Sequence, residues 1–193
     1  MTDLNQRIAI TELQYADFKF LQKLWHIPEV MRYADEFPSF RTWSKAEAPE
    51  VAWKKYQEKR HQLGNNYLQL ILRLPDGTPI GESFFCAPPK GKEKLGRWKI
   101  PTGVTCLVGD IKLLPEYWNQ GLGTEGMRLV VRCLFYHANC DMLIVPPHLE
   151  NPAAKRVYEK AGFAPITGKS GVIMRWARHQ LMKITKEDFQ ELY

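Results

Sequence analysis

The sequence predicts a mixed α/β fold: a largely antiparallel central sheet of about seven strands, flanked by about four helices. Strand-like and helix-like segments follow one another in the order β-α-α-β-β-β-α-β-α-β-β. Two neighbouring strands are joined by a tight turn, which makes them antiparallel, whereas others are joined through a helix, which brings parallel strands together. A purely parallel sheet is therefore excluded.

The composition predicts one ordinary globular domain over residues 1–193. The 193-residue chain is 45% hydrophobic and 25% charged, which excludes a disordered chain, a collagen-like fibre and a disulfide-rich miniprotein. Uncharged stretches such as residues 133–140 are far too short to cross a bilayer. The segment from Met1 to Gln6 lacks the basic and apolar regions of a signal peptide. We therefore expect a cytoplasmic protein without a membrane partner.

The charges and cysteines indicate no nucleic acid and no metal. The formal charge of +6 also arises from solvated Lys and Arg, so it identifies no partner. The densest basic run, Lys90–Lys99, is predicted to be a surface loop; Trp98 is its only aromatic residue, too few for a nucleic-acid reading module. The four cysteines form no C-x-x-C pair, which favours reduced core thiols over disulfides or zinc ligands.

The N-terminal part predicts a strand and two helices. Residues 7–13 alternate weakly, as a strand does, and residues 16–26 are helical up to a boundary set by Pro28. Residues 33–43 mix aromatic, acidic and proline residues irregularly, so a pocket-forming loop and simple packing are equally good explanations. Helix formers return over residues 44–63, before a Gly-Asn-Asn stop.

A hairpin, a long strand and an amphipathic helix follow. Residues 67–74 and 79–86 flank a Pro-Asp-Gly-Thr turn, which predicts a hairpin. Residues 103–114 form a strongly β run, in which Gly109 predicts either a bulge or a close backbone approach. From Gly121 onward, apolar residues recur at helical spacing.

The C-terminal part predicts a buried strand, a capped helix and further strands. Residues 141–145 are a short apolar strand, and Asn151 is a good N-cap before a helix that ends at Gly162. Residues 163–166 and 172–183 are predicted to complete the sheet, ahead of a short helical tail.

The turn before the amphipathic helix is a candidate phosphate site. Residues 118–126 read Trp-Asn-Gln-Gly-Leu-Gly-Thr-Glu-Gly. Glycines at 121 and 123 let successive N–H groups point outward at the positive end of the helix dipole. The signal is weak by itself, since plain turns also contain G-x-G. No G-K-[ST] follows, which excludes a P-loop, and the Rossmann fingerprint is incomplete.

A second motif supports the interpretation of the first as a phosphate site. Residues 151–163 read Asn-Pro-Ala-Ala-Lys-Arg-Val-Tyr-Glu-Lys-Ala-Gly-Phe. Together the motifs closely resemble the GNAT superfamily of acetyl-CoA-dependent N-acyltransferases, over roughly residues 67–183. The run Gly109–Leu114 looks most like aminoglycoside 6'-N-acetyltransferases and their siderophore and ribosomal-protein relatives. The chain departs from the family at Trp118, where many members have Arg or Gln, and at Pro146-Pro147, where relatives often have Asp-Pro.

The resemblance implies how acetyl-CoA binds. Backbone groups of residues 120–125 would hold its pyrophosphate, and Asn151 would contact the pantetheine while also capping its helix. Lys155 would meet the nucleotide phosphate or simply lie on a solvated face. Main-chain N–H groups near Leu113 and Leu114 would polarise the thioester carbonyl. The full cofactor-binding set is Leu113, Leu114, Gln120, Gly121, Leu122, Gly123, Thr124, Glu125, Asn151 and Lys155.

Two residues are the candidate catalysts. The resemblance places Tyr158 near the thioester sulfur, where a departing thiolate needs a proton donor; the alternative is a half-buried core tyrosine. Asp110 lies in a strand of apolar and small residues, where a carboxylate is costly unless it meets water, a donor or a cation. It would take the proton from the attacking ammonium or bind the substrate as a counter-ion. His137 and His148 are weaker candidates for the base.

The sequence is compatible with more than one kind of acceptor molecule. A small polyamine-like or aminoglycoside-like amine favours an acidic pocket, which could be lined by Asp35, Glu36, Glu82, Asp110 and Glu116. A protein, peptide or siderophore-type N-acyltransferase would need an open groove instead. A CoA-binding regulatory module without turnover is a further alternative. We expect a monomer or a homodimer.

Overall fold

The computed structural model describes residues 6–33, 47–88, 91, 93–168, 171–173 and 178–192. Predicted residues Asp35 and Glu36, and most of the predicted loop 33–43, lie outside these ranges. The helices are α1 Phe18–Leu24, α2 Pro28–Met31, α3 Pro49–Leu63, α4 Leu122–His137, α5 Pro152–Lys160 and α6 Lys186–Leu192. The strands are β1 Ala9–Glu12, β2 Tyr67–Arg73, β3 Pro79–Cys86, β4 Lys94–Leu95, β5 Trp98–Lys99, β6 Cys106–Leu113, β7 Met142–Val145, β8 Ala164–Pro165, β9 Val172–Ile173, β10 His179–Gln180 and β11 Met182–Thr185.

Seven strands form one sheet, in the order β1-β2-β3-β6-β7-β11-β8. Strands β6 and β7 are parallel, and the other neighbouring pairs of this sheet are antiparallel. The predicted mixed, mostly antiparallel sheet is thus confirmed, and so is the hairpin of β2 and β3. Two details are corrected. The basic run contains a small hairpin of β4 and β5. The predicted strand 172–183 is not continuous, because β9 and β10 pair with each other outside the main sheet.

Helices cover both faces of the sheet. On one face, α4 buries Met127, Val130, Val131 and Leu134 completely against strand residues such as Leu107. Burying one such aliphatic side chain is worth roughly 1.5–3 kcal/mol, so this stripe holds α4 on the sheet. On the opposite face, α1 and α3 pack against alternate residues of β2 and β3. Among the described helices, none has the length and apolar character that a bilayer crossing requires.

Gly109 of β6 allows this strand to pack closely against β3. The pairing of β3 with β6 continues without a register shift through this position, so the predicted bulge is absent. A Cβ atom at Gly109 would collide with the carbonyl oxygen of Phe84 and the ring of Phe85. The alternative prediction, a close backbone approach, is confirmed.

The two halves of the sheet separate where β6 and β7 stop pairing. Their register covers only three residues of each strand, Cys106–Val108 and Met142–Ile144. Continued further, it would place Pro146 and Pro147 opposite Asp110 and Ile111, and proline has no N–H to contribute. The carbonyls of the two prolines are turned toward β10, where they accept hydrogen bonds from His179 Nδ1 at 2.7 Å and from the Gln180 N–H at 3.0 Å. We call the resulting space, between residues 109–113 and 145–148, the gap.

Candidate active site

A cleft at the gap brings together three predicted site residues, of which one comes from β6 and two come from the motif at residues 151–163. Asp110 lies on β6, Tyr158 on α5 and Asn151 at the N-terminus of α5. His148 is also present, whereas His137 lies at the end of α4, outside this cleft. The described lining consists of Val30, Tyr33, Asp110, Ile111, Lys112, Pro146, Pro147, His148, Asn151, Ala154, Tyr158 and His179.

The backbone of β6 presents alternate residues to the gap. The N–H of Leu114 donates to the carbonyl of Ile80 at 2.9 Å. Because backbone groups alternate in direction along a strand, the main-chain groups of Gly109, Ile111 and Leu113 point away from β3 and into the gap. The Leu113 N–H thus points into the gap, and its contact with the thioester carbonyl stays a prediction. The prediction for the Leu114 amide is wrong, since Ile80 already occupies that donor.

Tyr158 reaches the gap from the α4 face of the sheet. Its side chain is almost fully buried and packs edge-on against Phe163. Burial raises the pKa of the Tyr158 phenol well above its usual range, the negative charge of Asp110 raises it further, and the backbone of Ile111 opposes the rise. The hydroxyl is thus held in its protonated form, the form a proton donor needs.

This shift gives the first testable prediction. Because the folded-state pKa is raised, Tyr158 should stay protonated near pH 10, where an unperturbed tyrosine is about half ionised. The ultraviolet absorbance of tyrosinate, followed against pH in the folded protein, should therefore be the same for wild type and Tyr158→Phe up to that pH. If the variant loses one tyrosine's ionisation there, the hydroxyl has an ordinary environment.

Asp110 is connected to a second carboxylate through a lysine that sequence analysis missed. Lys112 Nζ lies 2.7 Å from Asp110 Oδ2 and 3.3 Å from Glu82 Oε1. The lysine ammonium also lies 4.6 Å from the centre of the Trp25 ring. Glu82 is fully buried and accepts hydrogen bonds from Trp25 Nε1, at 2.6 Å, and from Gln69 Nε2. Glu82 therefore does not line a substrate pocket, contrary to prediction.

The electrostatics of this cluster follow from its burial. Burial would lower the pKa of Lys112, but Asp110 and Glu82 outweigh it, and the net shift is upward. Burial raises the pKa of Glu82, and Lys112 works against that rise. Since the groups hydrogen-bonded to Glu82 are donors, the geometry supports a carboxylate paired with the lysine ammonium.

The predicted phosphate site, formed by the backbone of residues 120–125, lies at the start of α4. We call this site the cradle. Gly121 adopts a left-handed conformation with φ of 80°, which suits glycine. The amides of Thr124 and Glu125 donate to the carbonyl of Gly121, so they are not the outward donors that were predicted. The amides of Leu122 and Gly123 begin the helix and have no intrahelical acceptor. These two are the best donors to an anion at this turn.

Arg7 fixes the outer side of the same turn. Its guanidinium bonds the Glu125 carboxylate at 2.9 Å and the Gln120 carbonyl at 2.9 Å. The Glu125 side chain is thereby directed to the segment that precedes β1 rather than to an anion. Trp118 connects the turn to the gap, because its indole N–H donates to the Leu113 carbonyl at 2.9 Å.

Asn151 and Lys155 have the structural roles that were given as alternatives to cofactor contacts, a helix cap and a solvated helix face. Asn151 Oδ1 accepts the Ala154 N–H at 3.0 Å, which is the predicted cap. Lys155 is half exposed and lies 3.7 Å from Glu159 one turn later. A solvated helix face thus accounts for Lys155, and a contact with a nucleotide phosphate stays a prediction.

His148 has a defined orientation at the rim of the cleft. Its ring stacks on Tyr33 with centroids 5.0 Å apart and meets His179 edge-on at 5.1 Å. Its Nδ1 accepts the Glu150 N–H at 3.1 Å, which leaves Nε2 as the protonated nitrogen of the neutral ring. Among the residues that the structure describes, no group of three or more His, Cys, Asp or Glu could hold a metal ion.

Comparison with known proteins decides the family. The model of the acetyltransferase (GNAT) domain matches residues 7–164, which is most of the chain. The chain belongs to the GNAT acetyltransferases. It is therefore an N-acetyltransferase that uses acetyl-CoA as the acetyl donor.

Solved structures of other GNAT enzymes share this fold. One is a spermidine N-acetyltransferase from Vibrio cholerae in complex with CoA and spermine, with a TM-score of 0.72 at 17% identity over 96% of this chain and 99% of that one. Another is the aminoglycoside acetyltransferase AAC(6')-Ib in complex with coenzyme A and kanamycin, with a TM-score of 0.67 at 19% identity over 95% and 98%.

The residues around the gap fit acetyl-CoA in chemical character. The amides that begin α4 suit its phosphates, and main-chain groups on the open side of β6 can pair with the amides of its pantetheine arm. Tyr158 and Asp110 line the same cleft.

Proposed function

We propose that this enzyme transfers the acetyl group to the primary amine of a small molecule, by direct attack in a ternary complex. The observation that carries the proposal is the joint placement of Asp110 and Tyr158 in one cleft. Asp110 comes from the face covered by α1 and α3, and Tyr158 comes from the opposite face. The gap is where they meet.

Each residue has a distinct task in this reaction. Acetyl-CoA supplies an acetyl group activated as a thioester. Asp110 takes the proton from the acceptor ammonium, directly or through water, because a protonated amine cannot attack a carbonyl. The N–H of Leu113 stabilises the negative charge that develops on the carbonyl oxygen. Tyr158 donates its proton to the departing sulfur, and the amides of Leu122 and Gly123 hold the pyrophosphate.

The cysteines support direct attack over a covalent thiol route. All four are described, and none lines the cleft. Burial raises the pKa of Cys106 and of Cys140 to about 11, and it raises the pKa of the other two thiols as well. A thiol of raised pKa is a poor nucleophile at neutral pH.

The acceptor is proposed to be a small polyamine-like or aminoglycoside-like amine. The V. cholerae and AAC(6')-Ib structures contain spermine and kanamycin, both amines, and this chain shares their fold. Asp110 is the only carboxylate in the described cleft lining. The sequence also predicts Asp35 and Glu36 as acidic contacts, and both lie outside the described residues. Because it depends on acetyl-CoA, we place the reaction in the cytoplasm.

One assay tests the function and separates it from a regulatory CoA-binding module. The enzyme is incubated with acetyl-CoA and a panel of amines, among them spermidine, kanamycin and an amino-terminal peptide, and release of the CoA thiol is measured. Amine-dependent release from the small amines is expected. Binding of CoA without release from any amine would favour the regulatory module, and release with the peptide alone would favour a protein acetyltransferase.

The cradle gives a second prediction. CoA at about a hundred times its dissociation constant should stabilise the fold by about 2 kcal/mol or more, a rise of roughly 5 °C in Tm. A Cβ atom at Gly123 would lie 3.4 Å from Val157 Cγ2 and 3.7 Å from Leu113 Cδ1. The branches of Gly123→Val would press on these side chains and shift the start of α4, so this variant should lose the CoA-induced rise.

Gly103→Val is the matched control. Gly103 has a left-handed φ of 81° and open space around it, in the loop before β6. This substitution should lower the basal Tm through backbone strain while the rise caused by CoA stays intact. A normal CoA effect in Gly123→Val would place the cradle elsewhere.

A further inference from the structure

A buried chain of charges lies behind Asp110 and is not explained by the chemistry above. It runs from Glu82 through Lys112 to Asp110, and Trp25 and Gln69 complete the shell of Glu82. The side chain of Lys112 is 5% exposed, that of Glu82 is 0% and that of Asp110 is 22%. The exposed fraction of the side chain thus increases from Glu82 through Lys112 to Asp110, toward the cleft.

Burying such a chain brings little net stability. The desolvation of two buried ions offsets their attraction, and apolar side chains of similar volume often stabilise a fold as well or better. The cluster therefore calls for a reason other than stability. Its geometry offers one, since the open end is the carboxylate of the candidate base.

The contacts of Asp110 differ between its two oxygens. Oδ2 is held by Lys112 at 2.7 Å. Oδ1 is buried and has no hydrogen-bond partner within the described part of the chain. A carboxylate with one oxygen tethered to an ammonium and the other enclosed by the protein has a fixed orientation.

We propose that Lys112 is a positioning residue, which tethers Oδ2 of Asp110 and so fixes the carboxylate at the edge of the cleft, where it takes the proton of the acceptor amine. Glu82 holds the lysine in place, and Trp25 lies against its ammonium. The proposal rests on the function proposed above and adds the residue that orients its base. In this proposal Lys112 acts on the reaction through Asp110.

The test compares three variants for turnover and stability. Lys112→Met should lower kcat by about tenfold, since a small misplacement of a catalytic group costs up to about 10²-fold in rate. The KM for acetyl-CoA should stay within about twofold of wild type, because the lysine lies off the α4 cradle. The same variant should lose thermal stability, since it leaves two buried carboxylates without their cation. Lys23→Met removes the same charge from an exposed position of α1 and should change neither quantity.

The third variant separates positioning from structure. In Glu82→Gln/Lys112→Met, the amide oxygen can still accept a hydrogen bond from Trp25 and the buried charge repulsion is gone. Stability should recover relative to Lys112→Met, whereas kcat should stay low. Recovery of kcat together with stability would show that Lys112 is only structural and would overturn the proposal.

A second readout does not depend on activity. The raised pKa of Lys112 has Asp110 among its causes, so Asp110→Asn should lower the pH at which the Lys112 side-chain carbon resonance titrates. An unchanged titration would show that Asp110 does not hold the ammonium, and the tether would be refuted. Failure of the proposed function would instead appear as a wild-type enzyme that acetylates no amine, with the Lys112 titration still shifted.

Discussion

Asp110→Asn is expected to slow acetylation at pH 7 by about 10²-fold or more, at saturating acetyl-CoA. Asparagine keeps the size of the side chain and can still meet Lys112 through its amide oxygen. It removes the basicity, so the acceptor ammonium loses its proton acceptor. The rate should recover in part at higher pH, where the free amine is more abundant.

The pH dependence distinguishes the two roles left open for Asp110. A loss that is the same at all pH values would identify a counter-ion that binds or orients the acceptor. Asp76→Asn makes the same chemical change in the exposed turn between β2 and β3 and should leave turnover unchanged. If Asp110→Asn acetylates as fast as wild type, the base is a water chain or His148.

Tyr158→Phe is expected to lower kcat by about 10²-fold with little change in CoA affinity. The ring and its contact with Phe163 are retained, so the fold should be preserved. Only the hydroxyl beside Ile111 and Asp110 is lost, and with it the proton for the departing sulfur. Tyr136→Phe, at an exposed position of α4, is the control and should have wild-type turnover. Unchanged turnover in Tyr158→Phe would leave this side chain a packing role alone.

Local patterns in the sequence were enough to predict most of the fold. The β2–β3 hairpin, α4 and α5 are each defined by signals within a short window: a turn tetrapeptide, an apolar stripe and a capping asparagine. The short helix α2 was missed because it begins at Pro28, a residue taken to end the preceding helix. Proline is favourable at the first position of a helix, and this preference was the competing signal.

Site residues that belong to a sequence motif could be predicted, whereas contacts that depend on strand pairing could not. Asp110 and Tyr158 came from an unusual carboxylate in a strand and from a family-like helix, and the structure places them in one cleft. The contact between Glu82 and Lys112 depends on the register of β3 against β6, which the sequence alone does not define. The i, i+2 spacing of Asp110 and Lys112 on one strand face was the available signal.

The two prolines after β7 have a consequence for how this protein avoids unwanted association. Over residues 109–113, β6 is an interior strand whose side toward β7 is not paired with that strand, as at the edge of a sheet. Such edges recruit strands from other molecules unless something blocks them. Pro146 and Pro147 present no N–H on the facing side, and their carbonyls are taken by His179 and Gln180. The edge is therefore screened from another protein chain, yet it stays open to a slender ligand that carries its own amides.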